Sequence, residues 1–440
     1  VLCGFHTEFR LGLDLSGYEG PRGSAPNELP EVLECVNRVF RLSRDMEPTM
    51  AQEFPLLFAE SNAENLRVIR KGGRVVSHVG IFEMDASMLG YRLRVGMIGA
   101  VSTLEEERGK GLASLLLADA MEKMKRDGVE LVMVSGERSL YDKAGCAIAG
   151  GSYQGSFERD DALRSAQRLA QNGGPSLLVT EGGEPSSYVE IYEREPVRYV
   201  RPLDNWKKLL SGMAWQESGS GLHYARYAFL AEEGGKPLGY AIFHAAENGI
   251  GELVEYAGDR EAVSACVTKG MISLGLRELR LTVSWWDLPA LSKLKQIGVK
   301  FSPHTTQKQG TVKVLDPQGL LDAIRPLLVE RAGEVADSLH LVKRSKKPSA
   351  KRGVDEVSGM GSGIGDQEEF ALNLREETHE IGGAKELAWL FFGLPEEVEP
   401  DFQRFMPTRD FLPKKGLLGQ VIKAALPIPY FAYGLYYTRR

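Results

Sequence analysis

Four cysteines in 440 residues, Cys3, Cys35, Cys146 and Cys266, stand far apart and never as Cys-x-x-Cys. Such spacing offers neither a disulfide framework nor a thiolate cage, so buried or free thiols in a reducing compartment are expected. Histidine is almost as scarce: the seven present show no metal-ligand spacing, and no metal is expected. The cationic excess of a nucleic-acid binder is missing too, since the formal net charge is −6. A clean hydrophobic run is also missing. The most apolar tract, LLGQVIKAALPIPYFAYGLYY at 417–437, is broken by Lys423, Pro427 and Pro429. It falls short of the roughly 20 apolar residues that span a bilayer. The opening VLCGFHTEFR has no basic start, apolar core or small-residue cleavage site, and it begins at Val, so an upstream start is expected. These absences together favour a cytoplasmic protein with neither a membrane nor a nucleic-acid partner. Without Gly-x-x-x-x-Gly-Lys-Ser/Thr there is no P-loop. The glycine spacing and the flanking strands also disfavour a dinucleotide fold.

What is present reads as a soluble chain, 43% hydrophobic and 26% charged, long enough for two to four domains. PNELPEVLECVNRVFRL (26–42) has helical apolar spacing at Leu29, Val32, Leu33, Val36, Val39 and Phe40. Two strand-like runs flank Gly72-Gly73 (65–82), and a third covers 90–103. A helix is predicted over 111–126, with Lys123, Lys125 and Arg126 in its last turn and Gly128 beyond. The apolar run 129–135 then reads as a buried strand. Residues 225–301 repeat this order: strands around Gly234-Gly235, a helix over 260–276, a strand over 277–284. No Arg-x-x-Gly-x-small loop opens the second helix, where the sequence is YAGDREAVSACV. A third unit starts near 310. The basic, then Gly/Ser-rich stretch 343–368 reads as a mobile loop inside it, or as a patch for an acidic partner. The expected units are 1–155, 156–308 and 309–440.

EEERGKGLASLLLADAM (105–121) carries most of the functional information. It could be an ordinary turn with solvated charges. It could also be an anion cradle, because a helix start leaves backbone N–H groups unpaired in front of a positive dipole end. Gly109 and Gly111 would let backbone approach a phosphate, Ala113 keeps the next turn small, and Arg108 and Lys110 add charge.

Arg108-Gly-Lys-Gly111-Leu-Ala113, with its lead-in from Val101, resembles the Arg/Gln-x-x-Gly-x-Gly/Ala signature of the GNAT acyltransferase family. SLYDKAGC (139–146) is similar to that family's Tyr-x-x-x-Gly-Phe element, with Tyr141 and Gly145 in place and Cys146 where Phe is usual. Glu105 stands where the lead-in usually has Pro. The three-part layout resembles the Eis-like (enhanced intracellular survival) group. The resemblance implies an α+β chain of tandem GNAT folds, the second degenerate, plus a C-terminal sterol-carrier-like α/β domain. The implied activity is transfer of an acetyl group from acetyl-CoA, as co-substrate, to a small-molecule or peptide amine. The implied diphosphate site is Arg108, Gly109, Lys110, Gly111, Leu112, Ala113 and Ser114. The pantetheine arm would lie along Val101, Ser102 and Thr103, and the acyl group would meet substrate near Gly136 and Glu137.

Tyr141 is the implied general acid for the leaving thiolate; its bland alternative is a packed tyrosine with its OH bonded to backbone. In the Eis-like group the terminal carboxylate acts as base, a role that would fall to Arg440, although this chain ends in the polar YGLYYTRR. Glu137, Glu83 and a water relay are the other candidate bases. A homo-oligomer is expected by analogy, and the net negative charge suggests an acidic or mixed cleft drawing in cationic amines. The rival reading is a non-catalytic binding protein for acyl-CoA and an apolar ligand.

Overall fold

The computed structural model describes residues 15–171, 177–216, 222–305, 310–344, 368–395, 398 and 411–429. The chain opens with β1 (Tyr18–Gly23), α1 (Leu29–Phe40) and the single turn α2 (Met50–Glu53). β2 (Leu66–Lys71) and β3 (Arg74–Met88) form the expected hairpin, turning through Gly72 and Gly73 at φ 57° and 80°. Two consecutive positive φ values are what a tight hairpin of this kind requires. β4 (Tyr91–Thr103) continues the meander, α3 (Leu112–Arg126) crosses over, and β5 (Leu131–Val134) returns parallel to β4. The single turn α4 (Ser139–Lys143) follows.

The middle of the chain contributes β6 (Ser152–Glu158), α5 (Arg159–Gln171), β7 (Leu178–Glu181), α6 (Pro185–Tyr192), β8 (Val197–Tyr199) and α7 (Leu203–Ser211). Next come β9 (Tyr224–Glu233), β10 (Lys236–Ala246), β11 (Ile250–Gly258), α8 (Arg260–Ser273), β12 (Glu278–Ser284), α9 (Leu288–Ile297) and β13 (Lys300–Phe301). The last part holds β14 (Thr311–Val314), α10 (Pro317–Ala332), β15 (His340–Arg344), β16 (Glu369–Leu374), β17 (Glu377–Ile381), α11 (Ala384–Phe392) and α12 (Gly416–Ala425). Apart from Lys343, Arg344 and Glu368, the 343–368 stretch lies outside the described residues.

Two seven-stranded sheets dominate. The first runs β1-β2-β3-β4-β5-β14, with β8 also paired to β3; the second runs β13-β6-β12-β11-β10-β9-β7. The step β2-β3-β4, helix, parallel β5 recurs as β9-β10-β11, helix, parallel β12. A third, antiparallel sheet is β15-β16-β17.

The expected boundaries do not coincide with the sheets. The 155/156 limit cuts through β6, which pairs along its whole length with β12. β14, from the expected third unit, hydrogen-bonds to β5, and β8 from the second joins β3. The physical reason is edge protection: a short central strand such as β5 would otherwise expose unpaired backbone, and β14 covers it.

β5 explains why 129–135 reads as a continuous apolar run. Val132 and Val134 pack into the cluster beneath α1 and α3, with Ile81, Ile98, Leu116 and Met124. Leu131 and Met133 face the other way, into a cluster with Val95, Leu320, Ile324 and Phe391. Both faces of the strand are therefore dry, and alternation disappears. On α3, Leu112, Leu116, Leu117, Ala120, Met121 and Met124 are buried at helical spacing, and this stripe fixes which face of the helix packs on the sheet.

Candidate functional site

β4 and β5 pair only from Val95–Leu131 to Ile98–Val134. β4 then runs on through Gly99–Thr103 with no strand on its β5 side among the described residues. At the same point its register against β3 slips: Gly80 faces Gly99, but His78 faces Ser102. The extra residue is a bulge, and Ala100 within it takes φ 51°. An alanine in that left-handed region costs about 1 kcal/mol, so something must hold it there. His78 does. Its Nδ1 lies 3.0 Å from the Ala100 carbonyl oxygen, which only accepts, so Nδ1 carries the proton. The ring is fully buried, burial draws its pKa down to about 4, and Nε2 has no hydrogen-bond partner among the described residues. On the same strand Ser77 donates from Oγ to the Ser102 carbonyl at 3.1 Å.

Beyond β4 the chain makes a 3-10 turn at Glu105–Glu107 and reaches α3 through Gly109 (φ 78°) and Gly111 (φ 75°). A Cβ on Gly109 would touch nothing within 4 Å, so its dihedral and the open space beside it account for this glycine. Gly111 caps α3 without a side-chain hydrogen bond, and the first turn holds no acid. The amides of Leu112, Ala113 and Ser114 therefore have no intrahelical or capping acceptor, which is what an anion at a helix start needs.

These elements open onto a cleft of about 800 Å³. Of the expected site residues, the strand end 101–103, Arg108, Gly109, the helix start 111–114 and Tyr141 all line it. Lys110 does not: its ammonium lies 2.6 Å from Glu107 Oε2, in a knot that also holds Lys71 and Tyr18. Hydrogen bonds from Lys110 first, then Tyr18, hold the Glu107 carboxyl down at about 2. Arg108 donates from Nε to the Thr103 carbonyl at 3.3 Å and has no ion pair among the described residues.

Tyr141 sits on α4 with only 7% of its surface exposed. Burial pushes its phenol up to about 12, with Arg138 opposing the shift. Its hydroxyl has no hydrogen-bond partner among the described residues, unlike a tyrosine tied to backbone. Gly136 acts on this ring: a Cβ there would stand 2.8 Å from Tyr141 Cε2. Thr311 on β14 in turn donates to the Gly136 carbonyl at 3.0 Å. Glu137 is exposed and, like Gly136, does not line the cleft.

Glu83 is misplaced for a base. It pairs with Arg94 at 3.2 Å and with Lys123 at 3.3 Å, and burial raises its pKa. Lys123 lies eleven residues along α3 from Leu112, roughly 16 Å from the helix start. Arg440 lies outside the described residues. The cleft also contains residues that no motif marks: Val39, Phe40, Ser43 and Arg44 from the end of α1 and the turn after it, and Arg138 and Leu140 before Tyr141. The cleft as a whole is mixed in charge, with Arg44, Arg108 and Arg138 against Glu105 and Glu107, the second of the two alternatives, acidic or mixed, that net charge suggested.

In the second sheet the corresponding helix start and strand end are already occupied by side chains among the described residues. Asp259 caps α8, accepting from the amides of Glu261 and Ala262 at 2.9 and 3.0 Å. Pairing of β11 with β12 stops at Glu252–Arg280. Beyond it stand Tyr256, hydrogen-bonded to Asp287 at 3.0 Å, and Arg260, bound to both Asp287 and Glu195. A carboxylate already occupies the place where α3 offers free amides.

Residues 21–149 match the family model described as acetyltransferase (GNAT) domain, a domain that uses acyl-CoA. The amino-terminal unit is thus a GNAT acetyltransferase domain. No curated protein matches the sequence. Among solved structures, a GCN5-related N-acetyltransferase from Anabaena variabilis ATCC 29413 superposes with TM-score 0.56 and 14% identity, over 95% of this chain and 98% of that one. A GCN5-related N-acetyltransferase from Kribbella flavida gives TM-score 0.52 and 18% identity over 70% and 74%. Eis1 from Mycobacterium abscessus gives 0.48 and 15% over 69% and 75%.

Proposed function

We propose that the protein is an acetyl-CoA-dependent N-acetyltransferase acting on a primary amine by direct attack. The observation that carries this reading is the unpartnered hydroxyl of buried Tyr141, in one cleft with the uncapped start of α3. Amides of residues 109–114, with Arg108 beside them, would hold the diphosphate, and the β4 stretch Val101–Thr103 would pair with the pantetheine arm. Bound there, acetyl-CoA supplies an activated thioester. A backbone N–H of the bulged strand polarises its carbonyl and holds the oxyanion. The neutral amine nitrogen forms a bond to that carbon, the carbon–sulfur bond breaks, and Tyr141 delivers its proton to the leaving sulfur. The amine loses one of its two protons on becoming the amide, and that proton is relayed through solvent or a base to the tyrosinate, which restores Tyr141. With its pKa near 12 in the empty cleft, Tyr141 stays protonated throughout the working range.

The proposal extends to the layout. The repeated strand order, with α8 capped by Asp259, supports a degenerate second GNAT unit, and the α10–α12 and β15–β17 region would be the sterol-carrier-like part of an Eis-like protein. A cytoplasmic location, a homo-oligomeric state, a terminal-carboxylate base at Arg440 and an acyl-end role for Glu137 belong to the same proposal. Thiol release from acetyl-CoA against pooled amines tests it. Tyr141→Phe should lower kcat by about 10²–10⁴-fold while acetyl-CoA binding persists. Tight binding with no turnover across the panel would instead establish the binding-protein reading.

A further inference from the structure

Arg44 and Arg138 are not needed to hold a diphosphate on the start of α3. Arg44 follows α1 and Arg138 precedes α4, and both line the cleft. Neither makes an ion pair among the described residues, whereas their neighbours are spent: Arg38 lies 3.5 Å from Glu106, and Arg41 is buried against Glu53. Among the described residues, two carboxylates, Glu105 and Glu107, line the same space. Glu107 is already held by Lys110 and Lys71, which leaves Glu105 against three guanidiniums. The residues beside them in the chain that also line the cleft are mostly apolar: Val39 and Phe40 before Arg44, and Leu140 after Arg138.

We infer that the acceptor is a primary amine that also carries an anionic group, an amino carboxylate with an apolar body, whose anion is taken by Arg44 and Arg138. The inference rests on the acyl-transfer reading above and narrows its substrate. If β4 and the start of α3 carry acetyl-CoA, the amine must approach Tyr141 along the wall that remains. Two unpaired guanidiniums on that wall repel polycations and match a carboxylate's paired oxygens. Val39, Phe40 and Leu140 suit the hydrocarbon between its two ends. The same positive surroundings favour the neutral form of the acceptor amine, the form that attacks.

The test uses the full-length protein, acetyl-CoA and three acceptors of equal chain length: an ω-amino carboxylate, the plain alkylamine and the diamine. The expected result is a kcat/KM for the amino carboxylate at least about tenfold above the others, from charge-assisted hydrogen bonds. That preference should shrink toward unity in Arg44→Met and Arg138→Met. Equal or better turnover of the diamine overturns the inference. The phosphates of coenzyme A are the other anions these arginines could hold, so acetyl-dephospho-CoA is run in parallel. A rise in KM for acetyl-CoA alone, with acceptor preference intact, also overturns it. If no amine is acetylated, the acyl-transfer reading fails separately. Calorimetry of the amino carboxylate into CoA-saturated protein then decides: binding lost in both variants supports the inference, and no binding by wild type sinks it.

Discussion

At the scale of single residues, the site depends on one imidazole that never touches substrate in this reading. His78 fixes the left-handed turn at Ala100, and that turn aims the end of β4 into the cleft. Its burial also has a measurable acid signature. The folded pKa, about 4, lies below an unfolded value near 6.5, so the unfolded chain binds the extra proton between those limits. Stability contributed by neutral His78 is therefore present above about pH 6.5 and is lost as pH falls toward 4. Between pH 7 and pH 5 the loss from this residue alone comes to about 2 kcal/mol. Urea unfolding of wild type and His78→Asn at the two pH values checks it. The variant should be less stable at pH 7 but should show a shallower acid slope by about that amount. Parallel slopes would mean that the imidazole is already solvated in the folded chain.

At the scale of elements, the local signals read well and the non-local ones do not. The period of 111–126, the glycines before it and the hairpin glycines at 72–73 report backbone needs set within a few residues, and each element is where its pattern places it. Lys110 is different, because its destination depends on Glu107 meeting Tyr18 and Lys71, residues far away in sequence. The end of α1 enters the cleft for the same reason: nothing between Val39 and Arg44 marks it, and only packing across β3 and β4 brings it there. β14 is the clearest case. Its four residues look like the start of a new unit, yet the Val312 amide donates to Ala147 and Thr311 braces Gly136 beneath Tyr141.

A proline cannot donate that hydrogen bond, and inside a ladder it is tolerated only at edges or bulges. Val312→Pro should therefore release β14, destabilise the protein by about 1–3 kcal/mol and lower kcat through Tyr141. Acetyl-CoA binding at the start of α3 should survive at temperatures where the variant is folded. Wild-type kcat in a folded Val312→Pro protein would show that Tyr141 is positioned without β14.

At the scale of the whole molecule, the two large sheets are joined by a buried charge. Arg201 follows β8, which belongs to the first sheet, and its fully buried guanidinium lies 2.8 Å from both oxygens of Glu255 on β11 of the second. Tyr240 donates to the same carboxylate at 2.8 Å, and the rings of Tyr192, Trp206 and Tyr199 surround the guanidinium at 4.5, 5.1 and 5.6 Å. The stretch after α7 also holds α2, since the Met213 amide donates to the Gln52 carbonyl at 2.9 Å and the Gln216 amide to Glu53 at 3.1 Å. Removing only the cation leaves Glu255 charged and buried without its guanidinium, which costs about 3–5 kcal/mol; removing both charges costs much less. Arg201→Met should accordingly lower the denaturation midpoint far more than the double variant Arg201→Met with Glu255→Gln, and the cycle should yield a coupling above about 1 kcal/mol. Because α2 is held from that side and its Glu53 pairs with Arg41 just after α1, the single variant should also raise the acceptor KM more than the KM for acetyl-CoA. Additive stability effects would mean that the aromatic packing, and not the ion pair, locks the sheets together.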